Sequence, residues 1–192
     1  MLRTLTAVLF LLLLPLHSSS AASLVTDANG ILTGARDIEY LGNKYDVFIG
    51  DGSCVGLFDG CDAQSDFPFQ ASDSLGASSA LLALIVSDGR FTFDPLRISG
   101  CSSDSCAIHL PFLRLTQDVL ADTIFILPSN SPLQAIDRLF VSDNTAVFIE
   151  STYAVWTQQP TTTVPEPSTL MLLGIGLLGQ RWLRTGTKRL PA

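Results

Sequence analysis

Basic residues are scarce in this chain, and they are scarcest in its middle. Residues 23–164 contain six lysines and arginines against seventeen aspartates and glutamates, which gives that span a formal net charge of −11. A surface of this sign repels phosphate backbones, so the composition argues against nucleic-acid binding. It is typical of a domain that must stay soluble outside the cell.

Catalytic motifs are missing as well. The sequence contains no G-x-S-x-G, H-E-x-x-H, P-loop or dinucleotide-binding pattern. Beyond residue 22 the chain has one histidine, His109, which lies between Ile108 and Leu110 in a run typical of a β-strand. We therefore predict no catalytic residue, no cofactor and no enzyme activity. A hydrolase built on His109, a serine and an acid is the alternative, and a deep pocket that gathers them would favour it.

Neither hydrophobic run of the chain reaches the roughly 20 residues of a comfortable membrane span. The first, Leu5–Leu16, follows the basic Arg3 and leads into the small residues Ser20-Ala21-Ala22. A basic N-terminus, a short apolar core and small residues at the cleavage region predict a secretory signal peptide over residues 1–22. Cleavage is expected after Ala22, with Ala21 nearly as suitable.

The second run lies near the C-terminus, between a proline-bracketed acid and a basic cluster. The bracket is Pro165-Glu166-Pro167, the apolar core spans Thr169–Gly179, and the basic residues are Arg181, Arg184, Lys188 and Arg189. The prolines favour an extended backbone before the predicted helix. Arg3 before the first run and the basic cluster after the second should both stay cytoplasmic. Residues 23–164, which lie between the two runs, should therefore lie outside the cytoplasm.

This C-terminal arrangement resembles the PEP-CTERM sorting signal of Gram-negative bacteria. The resemblance implies that exosortase, a membrane-embedded enzyme, recognises Pro165, Glu166 and Pro167 and cuts near them. It also implies membrane attachment through the C-terminal helix before processing, and a final place at the cell surface or in the medium, among extracellular polysaccharide and biofilm matrix. The protein would then be a non-enzymatic structural or interaction protein.

The order of strand and helix patterns in the middle of the chain predicts an α+β domain, with an antiparallel β-sheet and one main helix packed on it. The two hydrophobic runs add a predicted hydrophobic helix at each end of the chain. A hairpin is expected over residues 30–49, with its turn at Gly42-Asn43, and the helix over residues 71–86, capped by Ser72 or Asp73. Further strands are predicted at Ala107–Leu115, Thr123–Leu127, Leu139–Ser142 and Ala146–Thr157. The domains would be 1–22, 23–157, a polar linker at 158–164, and a tail at 165–192.

Four cysteines in an exported chain favour disulfide bonds, and three pairings are open. The local pairing, Cys54 with Cys61 and Cys101 with Cys106, is favoured because each pair closes a short loop rich in glycine or serine. Loop entropy does not select it, since a crosslink between the pairs would stabilise the fold by about 4 kcal/mol. Zinc is disfavoured because neither pair has C-x2-C spacing.

Two binding functions remain as alternatives to a purely structural role. The acidic loop from Asp51 to Asp62 suggests calcium, but Val55 and Leu57 occupy two positions where an EF-hand needs oxygen ligands, so that motif is absent. An irregular calcium site stays open as an alternative, and no residue is assigned as a metal ligand. A carbohydrate-binding module would be indicated by a shallow aromatic groove. The candidate side chains for such a groove are Tyr40, Tyr45, Tyr153 and Trp156.

Overall fold

The computed structural model describes residues 20–115, 118–128 and 134–160, and the part through Gln159 forms one compact unit. The predicted signal peptide lies outside the described residues except for residues 20–22. The predicted linker beyond Pro160 and the whole predicted tail also lie outside them.

Seven strands of the described residues form one sheet. They are β1 Ser23–Thr26, β2 Leu32–Tyr40, β3 Asn43–Gly50, β4 Cys106–Arg114, β5 Asp118–Ile126, β6 Gln134–Ser142 and β7 Ser151–Gln158. Their order in the sheet is β1-β2-β3-β7-β4-β5-β6. The last of the described strands, β7, therefore lies in the centre of the sheet, between β3 and β4.

The predicted fold class was wrong, because the sheet is mixed rather than antiparallel. Strand β7 pairs antiparallel with β3 but parallel with β4, where Ala107, Ile108 and His109 lie opposite Ser151, Thr152 and Tyr153. The two neighbours β3 and β4 run in opposite directions, so the strand between them can be antiparallel to only one of them. The terminal hydrophobic helices of that prediction lie outside the described residues and gain no support.

The hairpin of β2 and β3 has its turn one residue earlier than predicted. Tyr40 pairs with Asn43, so Leu41 and Gly42 form the two-residue loop. Both have positive φ, 50° for Leu41 and 74° for Gly42, as the turn that matches the twist of a hairpin requires. Glycine adopts this conformation without strain, whereas leucine does so at a cost.

The main helix, α1, spans Ser74–Asp88 and packs on the sheet. Ala77, Leu81 and Ile85 recur at the helical spacing of four and are fully buried, and each of the two larger ones contributes about 2 kcal/mol of apolar burial. Gly89, with φ of 76°, ends the helix by donating its N–H to the carbonyl of Ile85. Asp73 is the N-cap residue, but its side chain makes no capping hydrogen bond.

Four single-turn segments complete the regular structure of the described residues. One is an α-helical turn and three are 3-10 turns: Cys54–Leu57, Gln64–Asp66, Pro95–Arg97 and Thr145–Val147. No helix among the described residues combines the length and the hydropathy that a membrane crossing needs.

The core consists of two hydrophobic clusters on opposite faces of the sheet. Ala154 and Trp156 of β7 belong to the cluster that includes the apolar side of α1, whereas Tyr153 belongs to a second cluster with Phe58 and the Cys54–Cys61 loop. Successive residues of a strand point to opposite faces, which places the two clusters back to back across β7. The sheet is thus covered by the helix on one side and partly by a cysteine-closed loop on the other.

Candidate functional site

The four cysteines form two local pairs. The Cα atoms of Cys54 and Cys61 lie 5.6 Å apart, as do those of Cys101 and Cys106, and the sulfur atoms of each pair are at disulfide distance. The structure therefore contains the local pairing. No cysteine of the described chain is free, so these residues offer no thiolate set to a metal.

The end of the acidic loop that suggested calcium is held by the side chain of Asp66, which lies just beyond it. Asp66 Oδ2 accepts hydrogen bonds of 2.9 Å from the N–H groups of Asp62 and Ala63. These donors, that of Ala63 first, lower the pKa of the Asp66 carboxyl. In the part of the chain that the structure describes, no three or more His, Cys, Asp or Glu side chains are grouped so as to hold a metal ion.

The four aromatic residues considered for a groove are not gathered into one. Tyr45 and Trp156 pack against Phe69 with ring centroids 5.2 and 5.3 Å away, and all three are buried. Tyr40 joins this cluster at its edge. Tyr153 lies in the cluster on the other face, where its hydroxyl donates to the carbonyl of Ser142 at 2.7 Å. Tyr45 and Trp156 also line a cavity of about 320 Å³, but both are buried, so these rings are chiefly part of the core.

His109 lies at the centre of the sheet, on the face away from α1. The strand register sets Thr123 of β5 beside it on one side and Tyr153 of β7 on the other. The ring Nδ1 is hydrogen-bonded to Thr123 Oγ1 at 2.9 Å, and the Tyr153 ring makes an edge contact with a centroid distance of 6.2 Å. Only 3% of His109 is exposed.

Burial controls the charge of this histidine. Removal of the ring from water disfavours the imidazolium and lowers the pKa of His109 to about 4. The side chain is therefore neutral at neutral pH. In a catalytic triad a carboxylate orients the imidazole and stabilises its charged form, but here the partner of Nδ1 is a threonine hydroxyl.

A pocket of about 260 Å³ opens above this histidine and is called the His109 pocket below. Its lining contains three phenylalanines, several hydroxyl side chains and one carboxylate. The described lining residues are Ser105, Ala107, His109, Phe125, Phe140, Val141, Ser142, Thr145, Phe148, Glu150 and Ser151. The pocket thus combines an apolar surface with a few polar groups, which is the usual composition of a small-molecule site.

The structure brings His109 together with serines and an acid, which is the arrangement that would have favoured a hydrolase. Among the hydrogen bonds of the described residues, however, none joins His109 to Glu150 or to a serine of the lining. Glu150 instead accepts from Ser103 Oγ at 3.4 Å. The pocket exists as a cavity, without the relay of hydrogen bonds that nucleophilic catalysis requires.

Two pocket residues had no role in the sequence prediction. Phe140 was placed in a strand, and Phe148 near the start of a strand over Ala146–Thr157. In the structure β7 begins only at Ser151, and Phe148 lies just after the 3-10 turn Thr145–Val147. The asparagine before this turn, Asn144, accepts from the N–H of Ala146 at 3.1 Å, and this capping signal could have separated the turn from the strand.

The C-terminal sorting residues Pro165, Glu166 and Pro167 lie outside the described residues. Comparison with protein families gives one match, to the model described as the PEP-CTERM protein-sorting motif, over residues 163–185. No curated protein and no solved structure matches the chain significantly.

Proposed function

We propose that this chain, which carries a PEP-CTERM protein-sorting motif and with it a C-terminal signal for exosortase-dependent export, is a non-enzymatic protein of the cell surface or extracellular matrix. The motif match over residues 163–185 is the observation that carries the proposal. It implies exosortase as the processing partner in the envelope of a Gram-negative cell.

The described domain is built as an exported protein would be. Two cysteine pairs at disulfide distance suit an oxidising compartment, where such bonds persist. The −11 net charge of residues 23–164 keeps the domain soluble and repels anionic surfaces. Both features support a place beyond the inner membrane. We propose extracellular polysaccharide as the surrounding material.

The state of His109 supports a role without catalysis. A general base works best when its pKa lies near the working pH, and burial of this ring moves its pKa in the opposite direction, to about 4. Its Nδ1 is occupied by Thr123 rather than by a carboxylate. The open His109 pocket favours an interaction role, in which the domain holds a ligand without changing it.

The experiment that tests the sorting step compares Glu166→Ala with the wild-type chain in cells that contain exosortase. Removal of the acid should leave the tail unrecognised, so mass spectrometry should find the variant intact through Ala192, whereas the wild-type protein should have lost its C-terminal peptide. Glu39→Ala is the matched control, because Glu39 is an exposed glutamate of β2 and loses the same carboxylate. It should be processed like the wild type.

Two results would overturn the sorting part of the proposal. An intact wild-type C-terminus in the presence of exosortase would exclude processing. Identical cleavage of the wild type and Glu166→Ala would show that exosortase does not recognise the glutamate between the prolines. The non-enzymatic part would be refuted by any hydrolytic activity of the purified protein that His109→Gln abolishes while the protein remains folded.

A further inference from the structure

The mouth of the His109 pocket exposes two aromatic rings to solvent. Phe140 is 69% exposed and Phe148 is 51% exposed, and both line the pocket. Val147 and Ile149, which flank Phe148, are exposed to a similar degree. A cluster of large apolar side chains at a cavity mouth is the kind of surface that marks a binding site, whereas isolated ones do not.

The floor of the pocket is polar and is positioned by the sheet. His109 is held by its Nδ1 contact with Thr123, and the described residues provide no hydrogen-bond partner for its other nitrogen, Nε2. Thr145 beside it is buried and fixed by hydrogen bonds of 3.3 Å to and from the backbone of Gly52. The Nε2 nitrogen of His109 is therefore available to a ligand or a water molecule that enters the pocket.

The charges around the pocket restrict the ligand. Glu150 is the one ionisable side chain besides His109 in the described lining, and this lining contains no lysine or arginine. A carboxylate at the wall repels anions, and a neutral imidazole offers no compensating charge. Phosphates, carboxylates and acidic sugars are therefore poor candidates, whereas an uncharged ring with hydroxyl groups matches both the rim and the floor.

We infer that the His109 pocket binds one uncharged sugar ring, such as a residue of a neutral polysaccharide. The C–H face of the ring would pack on Phe140 and Phe148, and its hydroxyls would meet His109 Nε2, the serine hydroxyls and Glu150. Because the cavity of about 260 Å³ is below the range of about 300–1,000 Å³ for drug-sized ligands, it accommodates one ring rather than a chain. This inference rests on the proposed interaction role and names its ligand class.

A site of this size should bind weakly, with a Kd of the order of 1 mM for one ring. A polymer with many such rings offers many equivalent positions to the one site, so the apparent affinity per polymer molecule rises with their number without any new contact. Weak single-site binding therefore suits a protein that associates with a polymer.

The test is saturation-transfer NMR with the chain purified from an exosortase-containing host. The probes are methyl glycosides of glucose, galactose and mannose, with glucuronate as the anionic counterpart. At least one neutral glycoside should receive saturation, and glucuronate should receive less. Phe140→Ala and Phe148→Ala should each weaken binding about three- to tenfold, as the loss of one aromatic packing contact predicts. Phe93→Ala is the matched control, because Phe93 is a similarly exposed phenylalanine outside the pocket lining.

Glu150→Gln gives a second, independent readout. Loss of the wall carboxylate should bring glucuronate binding close to that of the neutral glycoside, because the repulsion is gone and the hydrogen-bonding shape is kept. Absence of saturation for all sugars, or binding that survives both phenylalanine variants, would overturn the inference. Binding of tyrosine amide but of no sugar would replace it with peptide recognition. Mass spectrometry of the C-terminus in the same sample reports processing separately, so a failure of sorting and a failure of binding are distinct results.

Discussion

The burial of His109 makes the stability of the fold depend on pH. In the unfolded chain a histidine titrates near its ordinary pKa of about 6.5, whereas the buried ring takes a proton only near pH 4. Between these two values the unfolded state binds more protons than the native state. The free energy of unfolding therefore falls as the pH falls from about 6.5 to about 4.

The size of this effect gives a prediction. Between pH 7 and pH 4, the free energy of unfolding of His109→Gln should fall by about 3 kcal/mol less than that of the wild type. Urea denaturation of both proteins across this range measures the difference between their slopes. All other titrating groups are shared, so they cancel in the comparison. Parallel stability curves would show that the ring is not kept neutral by the fold.

At the scale of elements, the contact between α1 and β2 depends on one glycine. The Tyr40 hydroxyl donates to the carbonyl of Asp73 at 2.8 Å, just before α1 begins. A Cβ atom added at Gly76 would lie 2.1 Å from that hydroxyl oxygen and 2.8 Å from the ring carbon that carries it. The tyrosine thus occupies the space that a side chain at position 76 would need.

Gly76→Ala should therefore destabilise the protein by about 1–3 kcal/mol, although alanine is the better helix former by about 1 kcal/mol. In a Tyr40→Ala background the obstacle is absent, and the same substitution should become stabilising. Chemical denaturation of the four proteins of this cycle checks the change of sign. Ser79→Ala, on the exposed side of α1, is the control and should be close to neutral. The same sign in both backgrounds would contradict the steric explanation.

The local elements were largely predictable from the sequence, and their arrangement was not. The hairpin and α1 follow from alternation, turn residues and an alanine- and leucine-rich run, because these patterns act over a few residues. The turn was placed at Gly42-Asn43 because asparagine and glycine favour positive φ, yet Leu41 takes that conformation. The Tyr40–Asn43 pairing fixes the register and overrides the preference of leucine.

The insertion of β7 beside β4 has no local signature. The pattern over Ala146–Thr157 predicted a strand, but nothing in it tells which strands lie on either side. The His109 pocket was missed for the same reason, since Phe140, Phe148 and His109 come from three separate segments that only the sheet order unites. His109 itself was correctly placed in a strand.

At the scale of the whole molecule, the two disulfide pairs connect stability to the compartment. They close loops with sequence separations of 7 and 5, and the loop-entropy model assigns such loops roughly 2–2.5 kcal/mol each. One pair lies in the cluster on the α1 face and the other in the cluster on the opposite face, so their contributions should be nearly additive. Domains of this kind have a total stability of only about 5–15 kcal/mol.

The reduced chain should therefore be markedly less stable than the disulfide-bonded chain. Before it crosses the membrane, the reduced chain should thus remain unfolded more easily. Full reduction should lower the free energy of unfolding by about 4 kcal/mol, measured by urea denaturation with and without reductant. A variant with alanine at both Cys54 and Cys61 should lose about half of the reductant effect, because each pair closes its own loop. A variant with alanine at both Cys101 and Cys106 should lose the other half. A chain without the four cysteines should not respond to reductant at all. An unchanged denaturation midpoint for the wild type under reduction would mean that the sheet and its two clusters hold the fold without the crosslinks, and that stability does not follow the redox state of the compartment.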